Sequence, residues 1–172
     1  ACRAESINGR RRAKGANMPA LADELDRLVQ AAGSELTNSS HKYLLLGGIL
    51  WNVALVRRGL RRYTDAATAQ RQSSAWYGLA GDVPKQLTGI FAAQVEDVTA
   101  SFVSRSHAAI VLSIRALNAA RDHVANTLPE YPAWMKDNAC IHIAWPLAML
   151  DVAYSPTSSW TEYQSDFEAG MV

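Results

Sequence analysis

The stretch SHAAIVLSIRALNAARDHVANT, residues 106–127, decides the fold class. It contains no Gly or Pro and is rich in Ala, Leu, Ile and Arg, residues that lose little on entering a helix. Ser104 or Ser106 is placed to cap its first turn. At helical spacing Ile110, Ile114, Leu117 and Val124 make one stripe, while Val111, Leu112 and several alanines cover most of the remaining circumference. Apolar residues nearly all round predict a buried central helix. Arg115, Asn118 and Asp122 share one polar strip. Arg121 falls within the apolar stripe, where a guanidinium needs a carboxylate, a phosphate or water.

Downstream, Pro129 and Pro132 in the segment Asn126 to Trp134 end this helix and hold the chain extended. Asp137 or Asn138 can cap a last helix running to Tyr154, kinked or restarted at Pro146. Asp151 is the only acid of that apolar run. It faces solvent near a helix end, or it pairs with an arginine of the central helix.

At 172 residues the chain is long enough for one domain with a core of its own. With 49% hydrophobic residues, abundant Ala and no convincing alternating strand, the expected class is all-α. The expectation is a single compact helical core over residues 17–155, a basic N-terminal arm over 1–16 and an acidic C-terminal tail over 156–172. Cys2 and Cys140 lie far apart, which argues against a disulfide framework. The formal charge of +1 hides an asymmetry. Arg3, Arg10, Arg11, Arg12 and Lys14 face Glu5 alone in the arm, whereas Glu162, Asp166 and Glu168 stand without a Lys or Arg in the tail. Such ends are either solvated or dock on neighbouring subunits of a polymer. The arm lacks the apolar run of a signal peptide, and the Ala-Cys start leaves processing or an upstream segment open.

The first helix is expected from Met18 to Ala32, capped by Asn17 and stopped by Gly33, with Leu21, Leu25, Leu28, Val29 and Ala32 facing inward. A second helix, capped near Ser39 or Ser40, carries the apolar run Tyr43 to Val56, too short to span a bilayer. Arg57, Arg58, Arg61 and Arg62 end it. Four arginines in six residues exceed what a helix dipole requires. With Arg71 and a polar Ser/Thr/Gln-rich loop expected at 64–74, Thr68 included, they read as an edge for an anionic polymer. Guanidinium groups suit phosphates, hydroxyls and amides suit riboses, and Trp76 or Tyr77 offers a ring for stacking or for the core. A solvated face and a protein interface are the other readings. Asp82 caps the next helix, with Pro84 in its first turn. Leu87, Ile90, Phe91, Val95, Val98, Phe102 and Val103 form its apolar spacing.

No phosphate loop, His-Glu-x-x-His, Cys-x-x-Cys or nucleophile elbow occurs, and Cys140 and His142 point to different faces of a helix. No enzyme, cofactor or metal is therefore expected.

The order of these features resembles the C-terminal core of the coat proteins of flexible filamentous plant viruses, the potexvirus-like group. The matching pieces are Arg105, Leu117-Asn118, Pro129 and Pro132 with Trp134, His142 through Asp151, and Ser155-Pro156. Upstream, Arg61 through Gln70 is similar to that family's Ala-Cys-Tyr-Asp-Val-Gly-Ser-Ser-Ala-Gln segment. Departures are the loss of the aromatic Phe-Asp-Phe-Phe core, replaced by Leu-Ala-Met-Leu-Asp, and of Val-Gly-Ser-Ser. The resemblance implies a subunit that polymerises helically around single-stranded RNA through its arm and tail, within a virion assembled in the host cytoplasm, without membrane contact. It also implies an arginine and an aspartate beside the RNA groove. The aspartate is Asp151 and the arginine Arg105, with Arg115 and Arg121 as rivals. The alternative is an all-α bundle that binds a small ligand or a partner protein.

Overall fold

A computed structural model of the chain describes residues 10–11, 15–35 and 39–128. Among them the regular structure is entirely α-helical, in five helices: α1 (Met18–Glu35), α2 (Ser40–Gly59), α3 (Tyr63–Leu79), α4 (Val83–Val103) and α5 (His107–Thr127). The expected last helix, Asp151, Cys2, Cys140, the acidic tail and most of the basic arm lie outside the described residues. No described helix is long and apolar enough to cross a membrane. By its contacts the chain divides into two compact units, residues 1–97 and 98–172, with the division inside α4.

The helix starts follow the capping residues. Asn17 Oδ1 accepts from the Ala20 amide at 3.1 Å, Ser39 Oγ from Lys42 at 3.3 Å, Asp82 Oδ1 from Lys85 at 3.2 Å and Ser106 Oγ from Ala109 at 3.4 Å. Of the two serines open as caps for α5, Ser106 serves; Ser104 Oγ donates back to the Ser101 carbonyl. Gly33 does not stop α1, which continues to Glu35. Lys42 Nζ donates to the Gly33 carbonyl at 2.9 Å, and Ser34 Oγ donates to the Gln30 carbonyl, so the last turn finds donors without a glycine stop.

The segment 64–74 is not a loop. It is the body of α3, a correction with a clear cause. Ala66, Ala67, Ala69 and Ser73 are fully buried small residues, and the hydroxyls that would disturb an isolated helix are spent elsewhere. Thr68 Oγ1 donates to the Thr64 carbonyl, Ser73 Oγ to Gly47 of α2 at 2.7 Å, and Ser74 Oγ to Gln86 of α4 at 2.7 Å. Tyr77 and Ser74 of α3 meet glycines on the two neighbouring helices. A Cβ at Gly47 would stand 3.0 Å from the Tyr77 ring, and one at Gly89 would stand 2.9 Å from Ser74 Cβ and 3.2 Å from its Cα. The polar composition of α3 is therefore the condition for close helix approach, not a sign of irregular chain.

Three successive connections have the same build. Leu60-Arg61-Arg62, Ala80-Gly81-Asp82 and Ser104-Arg105-Ser106 each join two helices in three residues. The middle residue is left-handed every time, with φ of 60° at Arg61, 79° at Gly81 and 55° at Arg105. At the first corner the Arg61 amide donates to the Arg58 carbonyl and Arg62 to Arg57; at the second Gly81 donates to Gly78 and Asp82 to Tyr77. This is the Schellman closure, which supplies donors to the last helical carbonyls. At the third corner the Arg105 amide donates to Phe102.

The core of unit 1 gathers Leu21, Leu25, Leu46, Ile49, Val53, Val56 and Ala66 from α1, α2 and α3, with Trp76 packed at its margin. In unit 2, Ser101 Oγ and Ser113 Oγ lie 2.9 Å apart and tie the end of α4 to α5. The expectation that α5 is buried all round is corrected among the described residues. Ile114, Leu117, Ala120 and Val124 are buried, but Leu112 is 65% exposed, so α5 is amphipathic. Val103, expected inward, is 66% exposed at the last position of α4.

Candidate nucleic-acid interface

The candidate interface is built on the C-terminal turn of α2 and the corner after it. Cations collect there because the last carbonyls of a helix carry partial negative charge. The corner then aims them apart. Arg57 Nη2 lies 3.2 Å from Asp26 Oδ1 of α1, and its Nη1 donates to the Asp65 carbonyl at 3.4 Å. Arg58 Nε lies 2.5 Å from Glu96 Oε1 of α4. Arg62 Nε lies 2.7 Å from Asp65 Oδ2, one turn into α3. Arg71, on α3, pairs with Asp97 of α4. Arg61 is exposed and makes no ion pair among the described residues.

The five arginines expected at a phosphate-facing edge are thus present in one unit but unequal. Arg57, Arg58, Arg62 and Arg71 already face carboxylates, and a phosphate would have to displace or share them. Arg61 is open. Thr68 is exposed on α3, with its hydroxyl turned to the Thr64 carbonyl at 3.0 Å. Arg105 and Arg115 belong to the second unit, where both are exposed without an ion pair among the described residues. Arg121 satisfies its charge locally, its Nη2 lying 3.1 Å from Asp122 Oδ1. The expected partner Asp151 is outside the described residues.

Trp76 and Tyr77 are both engaged. The Trp76 ring stacks on Tyr43 at 5.5 Å between centroids and 24° between planes. Tyr77 is buried against Gly47, with Lys85 Nζ 5.4 Å from its ring centre, and burial pushes its hydroxyl pKa up. Among the described residues no group of three His, Cys, Asp or Glu side chains is placed to hold a metal ion.

Sequence reasoning missed Glu96 and Asp97. Glu96 is 2% exposed, and one of its oxygens, Oε2, has no hydrogen-bond partner. Burial pushes its carboxyl pKa up; Arg58 pulls it back only in part, and Asp97 raises it further. Asp97 is likewise raised by burial, against the opposing pull of Arg71. The available signal was two adjacent acids inside the apolar spacing of Phe91, Val95, Val98 and Phe102. Charges in such a run need partners from other helices, and the surplus arginines at 57–62 and 71 were the candidates.

No protein-family model, curated protein or solved structure matches this chain.

Proposed function

We propose that the chain is an all-α structural protein that coats single-stranded RNA, polymerising helically along it and contacting its phosphates without reading sequence. The observation that carries this reading is the α2–α3 corner. Arg61 projects into solvent there, with Arg62 beside it on the exposed side and Arg57 and Arg58 in the preceding turn. Such a cluster recognises a chain of negative charges rather than one small ligand. The resemblance to flexible filamentous coat proteins points the same way, and adds Arg105, Arg115 and Asp151 as the groove candidates of the second unit. The existing ion pairs fit weak, exchangeable contacts, since carboxylate and phosphate compete for one guanidinium face.

A second reading, a helical bundle that binds a partner protein, is favoured by Leu79 and Val83, which flank the α3–α4 corner at 62% and 43% exposure. The two are separated by salt. Binding of unrelated single-stranded RNAs should fall steeply with salt concentration. Arg61→Gln with Arg62→Gln should flatten the log–log slope by roughly one unit for each phosphate no longer neutralised. An unchanged slope, or binding confined to one RNA sequence, would remove the corner from the interface.

A further inference from the structure

We infer that Glu96 and Arg58 form a proton-operated latch between α4 and α2: ionised, the carboxylate holds the guanidinium; protonated, it releases Arg58 to water. The geometry makes the two ends unequal. Arg58 is about one-third exposed and can be hydrated in place, whereas Glu96 is sealed in the unit. Its Oε1 takes the arginine and its Oε2 takes nothing, so the ionised form carries a buried acceptor without a donor. Burial disfavours the charged form of a carboxylate, most of all where one oxygen is left without a donor.

The neighbouring residue extends the device. Adjacent positions on a helix point about 100° apart, so Glu96 reaches α2 while Asp97 reaches Arg71 on α3. The charged groups around Glu96 are therefore Arg58 from α2, Arg71 from α3 acting through Asp97, and Asp97 on its own helix. Of the other charges at this end, Arg57 pairs with Asp26 and Arg62 with Asp65, and Arg61 is exposed. Among the described residues, Gln70 Oε1 is the other buried side-chain acceptor without a partner. Ser74 meets Gln86 and Gly89 across the antiparallel pair of α3 and α4. The cost of burying the ionised carboxylate agrees with the raised pKa of this group.

The latch does not rest on RNA binding, and it is tested on the full chain without RNA. Carboxyl carbon NMR followed with pH should show one glutamate titrating above the ordinary glutamate range. The Arg58 Nε–H signal, assigned through Arg58→Lys, should weaken by exchange with water at the same midpoint as pH falls. Glu96→Gln should abolish that titration and leave Arg58 Nε–H in fast exchange at every pH. Should that variant not fold, the coincidence of the two midpoints in the native chain decides alone. Glutamates that all titrate in the ordinary range, or an Arg58 signal indifferent to the titration, would overturn the latch.

Discussion

Arg61 and Arg105 sit where an L side chain crowds its own backbone. The left-handed conformation costs a non-glycine residue about 1–2 kcal/mol, partly offset by the extra freedom glycine has when unfolded. Arg61→Gly is therefore expected to stabilise the chain by about 0.5–1 kcal/mol in urea unfolding. The same substitution should weaken RNA binding, since it removes the open guanidinium. A side chain kept at a strained position despite that cost fits a role in contact rather than in folding. Arg58→Ala tests the other kind of arginine. It leaves Glu96 buried with no partner at all, and at neutral pH should cost up to about 3 kcal/mol. The folded-state pKa of Glu96 lies above its unfolded value, and more so without Arg58. The stability contributed by its proton is thus fully present below the unfolded value and lost as pH rises through the folded one. Unfolding of Arg58→Ala should accordingly show its deficit shrinking as pH is lowered through that window. A deficit that stays constant would mean the cost comes from poorer packing.

At the scale of helices, the starts are legible because caps are local: Asn17, Ser39, Asp82 and Ser106 each bond the amide three residues on. Reading 64–74 as a loop fails because it weighs the hydroxyls by local competition, while Ser73 and Ser74 find acceptors on other helices. The end of α1 is misread for a related reason, since Lys42 of the next helix reaches back to Gly33. Of the three corners only Ala80-Gly81-Asp82 announces itself, because arginine at the left-handed position leaves no signature. Two glycines give a matched test of the packing. Gly33→Ala meets nothing within 4 Å and should stabilise α1 by about 0.5–1 kcal/mol through helix propensity. Gly89→Ala gains the same propensity but must push α3 from α4, and overpacking of about 1–3 kcal/mol should leave a net loss. Chemical denaturation of both variants checks the sign. Equal gains would mean α3 and α4 are not closely packed at Ser74.

For the whole molecule, composition and periodicity are enough for the all-α class, because apolar spacing without strand alternation leaves few other solutions. The candidate interface is legible only in part. The arginine cluster shows in the sequence, but which members are spent on Asp26, Asp65, Glu96 and Asp97 depends on helix pairings that residue spacing does not encode. The proposed role of the chain is assembly along single-stranded RNA. Electron microscopy of the purified chain mixed with two RNAs of unrelated sequence and different length measures it most directly. The expected result is flexible rods on both RNAs, with lengths that follow the length of the RNA and that disappear at high salt. Discrete monomers or dimers at saturating RNA would contradict it.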